Sequence, residues 1–341
     1  MATRAKGWRR SSHPGLVRRT EKGSALLAVL WLVAALSVIA LSIAATVRAE
    51  VERTTINAEG TRAYFLAKGG IDRAALHIQW GAGISQPNRP PRYFQRGIRT
   101  LSYRFPSGVV DVDVIPEAAK LNVNRVDLPD LLRMFMALGL APFQAEELTA
   151  AIDDWRRPAG QGLSPFDSYY LTLTPSFPGR HASLENVEEL LLVKGMTPEL
   201  FYGTFVPSSG DSLVWRPGVR DCLTVYGRSD SVDVNWAEAP TLAAVGLPPQ
   251  AVAAIDARRR MRPFLLETEL QELGIGGYEG AQRLQIGGRS IYTLRATAQL
   301  LQQDGSLSRV KRSIAAIVDL NEPTVDRPFT TLRWYDTAWR H

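Results

Sequence analysis

Residues 23–52 read GSALLAVLWLVAALSVIALSIAATVRAEVE, and this stretch decides how the rest of the chain is placed. From Ala25 to Val47 there is no charged side chain. A helix rising about 1.5 Å per residue over that run is roughly 34 Å long, enough to cross a hydrocarbon core of about 30 Å. A cleaved secretory signal has an apolar core of only about 7–15 residues, so the run reads as a retained membrane segment. Ahead of it, Arg4, Lys6, Arg9, Arg10, Arg18, Arg19 and Lys22 stand against the single acid Glu21. Cations on that flank predict a cytoplasmic N-terminus and a body on the far side of the membrane.

That leader also carries the whole formal charge of +6, so the remaining residues are balanced. The high pI therefore gives no support to a nucleic-acid surface, which needs surplus Lys and Arg. Cys222 is the single cysteine and excludes an internal disulfide. It reads as a small apolar residue in a strand-like run, Cys222 to Tyr226. His13, His77, His181 and His341 are scattered, and no P-loop, G-x-S-x-G or H-E-x-x-H pattern occurs. No catalytic residue is predicted.

The junction Arg18-Arg19-Thr20-Glu21-Lys22-Gly23 resembles the prepilin signal of type IV pilins and type II secretion pseudopilins. The resemblance implies cleavage after Gly23 by a membrane aspartyl peptidase, with Ser24 as the new N-terminus. Most such proteins carry a bulky apolar first mature residue and a glutamate at the fifth position. Here those residues are Ser24 and Ala28. The K-type pseudopilins lack that glutamate, and their mature start resembles Ala25-Leu26-Leu27-Ala28-Val29-Leu30-Trp31.

Beyond Val47 the helical pattern continues to about Trp80 and turns amphipathic, with Val51, Ile56, Ala63, Phe65, Leu66, Ile71, Ala75 and Ile78 at helical spacing. Tyr64 and Phe65 are expected in core packing. Residues 81–98 read as a loop. Two alternating runs, 99–105 and 109–115, flank Pro106-Ser107-Gly108, and a second pair, 290–302 and 307–318, flanks Asp304-Gly305. Both read as hairpins, with residues 330–339 as an edge strand. A sheet is thus expected at both ends of a helical middle.

That middle holds a diverged repeat. Leu121-Asn-Val-Asn124 is answered by Val232-Asp-Val-Asn235, Gly139-Leu-Ala-Pro142 by Gly246-Leu-Pro-Pro249, and Ala151-Ile-Asp153 by Ala254-Ile-Asp256. Arg156-Arg157-Pro158 is set against Arg262-Pro263. Each copy predicts an extended lead-in, a helix, a Gly-Pro turn and a second helix. A third turn is suggested by Lys194-Gly-Met-Thr-Pro198.

These pairs resemble helix-hairpin-helix modules, in which turn amides grip a DNA phosphate. Here Ala141 and Pro248 replace the usual second glycine, and proline has no amide hydrogen. Arg258, Arg259 and Arg260 keep a membrane-anchored DNA-binding or DNA-uptake protein as the alternative, against their reading as an exposed helix end.

Across essentially the whole chain the features are similar to the K-type minor pseudopilin of type II secretion. They include Leu121-Asn-Val-Asn124, Ala151-Ile-Asp-Asp-Trp155, Asp167-Ser-Tyr-Tyr170, residues 188–200 and Val225-Tyr226 leading to Val232–Asn235. The implied fold is α+β, a membrane-spanning helix packed on a small antiparallel sheet. A large all-α, SAM- or helix-hairpin-helix-like domain is inserted in that sheet.

The expected boundaries are a leader at 1–23, the helix at 24–85, the sheet at 86–116 and 288–341, and the insertion at 117–287. The implied function is non-enzymatic, capping and initiating a periplasmic fibre. The implied partners are the I- and J-type minor pseudopilins, the major pseudopilin, the prepilin peptidase and the inner-membrane platform, with no nucleic acid. K-type relatives bind calcium through acids after the Asp-Trp dipeptide. The candidates here are Asp153, Asp154 and Asp167, but Arg156 and Arg157 stand where further acids are expected, so calcium binding is predicted weak or absent.

Overall fold

The computed structural model describes residues 24–81, 94–95, 97–160, 162–207, 212–228, 230–321 and 328–338. Gly23 and the leader lie outside the described residues, as does most of the 81–98 stretch. Ser24 is the first residue of helix α1, Ser24–Gly81.

The chain divides into two units, 1–58 and 59–341. In the first, α1 exposes every side chain from Ala25 to Ala58. Its apolar part is long enough to cross a membrane. Two hydroxyls in it are satisfied one turn back: Ser37 Oγ donates to the Val33 carbonyl at 2.8 Å and Thr46 Oγ1 to the Ser42 carbonyl at 2.9 Å.

In the second unit, α1 buries Ala63, Leu66, Ala67, Ile71, Ala74, Ala75 and Ile78 against a five-stranded sheet. Small residues on that stripe let the backbones approach. A Cβ added at Gly70 would meet Val110 Cγ1 at 2.5 Å. Tyr64 packs near Trp334 and donates to Asp336 Oδ1. Phe65 departs from expectation: it is 63 % exposed, because it lies on the face of α1 that turns away from the sheet.

The strands are β1 (Thr100–Phe105), β2 (Gly108–Pro116), β3 (Ile291–Leu301), β4 (Leu307–Asp319) and β5 (Thr330–Tyr335). They lie in that order and every neighbour is antiparallel. Strict alternation along β3 puts Tyr292, Leu294, Ala296, Ala298 and Leu300 on the α1 face. The edge strand ends at Tyr335, and residue 339 lies outside the described residues.

Between β2 and β3 runs the helical segment, which has its own apolar core. Helices α2 (Leu128–Ala137) and α3 (Pro142–Arg156) form the first copy, α4 (Ala239–Ala244) and α5 (Pro249–Met261) the second. The two first helices, α2 and α4, pack on each other. The segment is not all-α. Leu121–Asn122 pairs in parallel with Leu223–Thr224, Val232–Asp233 in parallel with Leu284–Gln285, and a hairpin joins Thr204–Pro207 to Leu213–Arg216. Cys222 closes a four-residue helix and does not start a strand, and it is fully buried.

Candidate functional site

The duplication extends to individual hydrogen bonds. In the last turn of each second helix an arginine folds back on its own lead-in. Arg156 Nη1 donates to the Val123 and Val126 carbonyls at 2.7 and 2.8 Å, and Arg259 Nη1 to Val234 and Ala237 at 3.3 and 2.6 Å. Each is held by an aspartate three residues earlier, Asp153 and Asp256, at 3.1 Å. Arg156 therefore corresponds to Arg259, and the pairing of Arg157-Pro158 with Arg262-Pro263 is out by two residues.

The last residue of each lead-in clamps one downstream peptide from both sides. Asn124 donates to the Leu184 carbonyl and accepts from the Leu184 amide at 2.9 and 2.8 Å; Asn235 does the same to Phe264 at 2.8 and 2.7 Å. A glutamate five residues past each clamped peptide then caps the following turn. Glu189 accepts from the Glu185 and Asn186 amides, Glu269 from Leu265 and Leu266. This second half of the repeat escaped the sequence reading. Its signal is the shared spacing of Leu184 to Glu189-Leu190 and Phe264 to Glu269-Leu270, diluted by a gap of 27 residues between helix and clamp in the first copy against two in the second. It also gives the third turn, at Gly195, a place inside the first copy.

The hairpin turns commit the amides that a phosphate grip would use. Gly139 (φ +92°) and Gly246 (φ +97°) occupy the left-handed position that ends a helix. In the first copy the Gly139 amide donates to Met136, the Leu140 amide to Phe135 and the Ala141 amide to the Gln144 side chain. In the second, Gly246 donates to Ala243 and Leu247 to Leu242, while Pro248 has nothing to donate. Both are Schellman closures whose amides are already spent on helix carbonyls.

The three arginines are engaged too. Arg258 binds Glu269 and lies 5.0 Å from the Phe264 ring centre, Arg259 is committed as above, and Arg260 pairs with Asp256 at 2.5 Å. Arg258 and Arg259 are 17 % and 11 % exposed, so the exposed-helix-end reading fails for them as the DNA reading does.

The carboxylates of the calcium candidates already have partners. Asp153 Oδ1 already faces Arg156 and, at 2.9 Å, Arg157. Asp154 Oδ2 accepts from Ser164 Oγ at 2.8 Å. Asp167 Oδ2 accepts from the Ser164 amide at 2.7 Å, and its Oδ1 meets His181 Nε2 at 3.0 Å. The Ser164 amide and the His181 ring hold the Asp167 carboxyl below the usual range. Burial pulls His181 down, but the Asp167 carboxylate and the Asp154 carbonyl outweigh it and leave its pKa raised. Calcium takes about six to eight oxygens. These three carboxylates offer few that are uncommitted, and the residues do not fit the ion. Among the described residues no group of three or more His, Cys, Asp or Glu is placed to hold a metal.

Comparison with known proteins bears on the same helical segment. The family model for protein K of the type II secretion system (T2SS) matches residues 114–203. The type II secretion system protein K of Klebsiella pneumoniae is 25 % identical over 201 residues, 53 % of this chain and 60 % of that protein. The chain thus matches about three-fifths of the length of that curated relative. A chain in the crystal structure of the GspK-GspI-GspJ complex from the enterotoxigenic Escherichia coli Type 2 Secretion System superposes with a TM-score of 0.50. That likeness covers 86 % of this chain and 99 % of the other at 14 % identity, and it speaks for the fold. Beside the acid-free apolar helix, the sheet and the paired helical copies, these matches make the chain similar to protein K of type II secretion over residues 114–203 and similar in fold to the E. coli chain.

Proposed function

We propose that this chain is a structural, non-enzymatic subunit that caps and initiates the periplasmic pseudopilus of a type II secretion machine. The observation that carries the reading is the protein K match across residues 114–203, in a chain that also has one long apolar helix and an antiparallel sheet. In this reading the prepilin peptidase cuts between Gly23 and Ser24 and the new N-terminus is methylated. Residues 25–47 span the inner membrane once, with the N-terminus cytoplasmic and the body periplasmic. The divisions at 23, 85, 116 and 287 then separate leader, helix, first sheet part, inserted helical part and second sheet part. The secretion platform and the major pseudopilin are further partners.

Place in the fibre follows from two features. A glutamate at the fifth mature position would meet a neighbour's N-terminal amine inside the bilayer, where an unpaired charge costs several kcal/mol. Ala28 offers no such partner. The helical segment adds bulk that a subunit in mid-fibre would have to fit beneath its neighbours. Both favour the tip, in complex with an I-type and a J-type pseudopilin, the two companions named for the E. coli chain.

Site-directed crosslinking from residues 54–80 to those two partners tests the placement. Ladders of self-crosslinked chain would make it a main fibre subunit. N-terminal mass spectrometry tests the processing, with a start at Ser24 expected and a start near Ala49 or Glu50 overturning it.

A further inference from the structure

The helical segment and the sheet meet in an unusual way. Their apolar cores have no residue in common. The chain leaves the sheet at Pro116 and returns at Ile291, and Pro116 is the register partner of Tyr292, so both crossings lie at one point. They are in close contact there: a Cβ on Gly288 would come within 2.6 Å of Pro116 Cβ, and Tyr292 Oη donates to the Gly288 carbonyl. Beside them Glu117, 2 % exposed, accepts from Thr293 Oγ1 of the sheet and from Thr224 Oγ1 of the helical segment, both at 2.5 Å. One buried carboxylate therefore pins both bodies at the crossing.

Away from that point the two also touch at Gly97, whose added Cβ would come within 2.4 Å of the Phe264 carbonyl oxygen, and are otherwise parted. A cleft of about 470 Å³ separates sheet and helices, with Glu117, Thr224, Thr293, Trp236, Arg333 and Tyr335 among its walls. Polar or cation–aromatic contacts span it. Arg333 of β5 binds the Asn186 side chain and, at 3.2 Å, Glu188 of the first copy. Arg99, just before β1, lies 4.2 Å from the centre of the Trp236 ring in the second copy. The Arg333–Glu188 pair is 29 % and 36 % exposed, so salt reaches it. Bodies joined by polar contacts, the touch of Gly97 on Phe264 and two adjacent strands of chain, without a shared apolar core, move relative to one another unless something latches them.

We propose that the helical segment pivots on the sheet about the paired crossing at Pro116–Glu117 and Gly288–Tyr292, and that Arg333 is the latch holding the cleft shut. This inference goes beyond the secretion role and does not depend on it. A pivot of this kind changes the angle at which the two helical copies are presented while leaving the sheet and α1 undisturbed. Glu117 stays with both bodies during the motion, whereas the Arg333 contacts separate.

The test uses the full-length chain in detergent micelles with spin labels on Ala150→Cys, in α3, and Lys311→Cys, in β4, both exposed. Buried Cys222 takes no label. Pulsed electron-spin distance measurement at low salt should give one distance. A second population should appear in Arg333→Ala, and in the unaltered latch at about 1 M salt, where the screening length is about 3 Å. Arg312→Ala, whose contact is with the Asp336 carbonyl inside the sheet body, should match the unaltered latch. The same single distance in Arg333→Ala and at high salt overturns the proposal. If Arg333→Ala does not fold, the salt series alone decides.

Discussion

Replacing Arg156 by alanine tests whether the back-folded arginine is what holds the first helical copy together. The side chain is 9 % exposed and makes two short bonds to carbonyls of the nearly inaccessible Val123 and Val126. Hydrogen bonds to a charged donor contribute about 1.5–3 kcal/mol each, and breaking a buried ion pair costs about 3–5 kcal/mol, so the expected loss is about 3–5 kcal/mol. Arg157 still pairs with Asp153, but it is 64 % exposed and offsets little.

Arg259→Ala removes the same device from the second copy, where one carbonyl contact has lengthened to 3.3 Å, and should cost about 1 kcal/mol less. Arg156→Lys should not rescue, because an ammonium cannot reach two carbonyls and a carboxylate with one planar fork. Urea denaturation of the full-length chain in detergent, followed by circular dichroism, reads all three variants. A loss below about 1 kcal/mol in Arg156→Ala, or full stability in Arg156→Lys, refutes the reasoning.

Three further outcomes follow from the helical segment. Calcium at millimolar concentration, or a chelator, should leave Tm unchanged, since a site filled at 100 times its Kd would add about 2.7 kcal/mol; a calcium-dependent rise in Tm would restore Asp153, Asp154 and Asp167 as ligands. Burial pushes Asp233 up to about 6, against the Gly287, Trp236 and Asn235 amides. Its folded value lies above the unfolded one, so its stabilising contribution of about 3 kcal/mol is full below about pH 4 and lost as pH rises through about 6. Asp233→Asn should flatten the stability slope across that window, and an unchanged slope in a denaturation series would count against the burial argument. Cys222 is fully inside the helical core with its thiol pushed far up by burial, so a thiol reagent should modify it only at the rate of unfolding; fast modification of the folded chain would show that region to be open.

The strands of the sheet and the two Gly-Pro turns were legible because each rests on local chemistry. Alternation sets β3, Ser107-Gly108 and Asp304-Gly305 set the hairpins, and Gly139 and Gly246 can close a helix without a Cβ penalty. Phe65 was misread because apolar spacing on a helix does not say which side meets the sheet, and Phe65 sits beside the stripe formed by Ala63, Leu66 and Ala67. The Asn124 and Asn235 clamps were half visible. The N-V-N signature marks the lead-in, but the peptide each asparagine holds lies 60 and 29 residues away, a distance no periodicity reports. At the calcium candidates the sequence sets Asp153, Asp154 and Asp167 against Arg156 and Arg157. What it did not show was His181, which reaches Asp167 across a 14-residue loop and engages its remaining oxygen.

The meeting of Pro116 and Tyr292 has another consequence. The five strands follow one another in chain order, so the sheet is a plain meander interrupted at one place, where register partners already stand side by side. Antiparallel neighbours at that spacing can be joined by a turn of two residues. A splice that replaces 117–291 with such a turn should leave α1, the meander and its apolar face intact, and the excised helical pair keeps its entire core within itself. The protein is in this sense a socket and a cartridge: evolution or a protein engineer can exchange what is carried without redrawing what carries it.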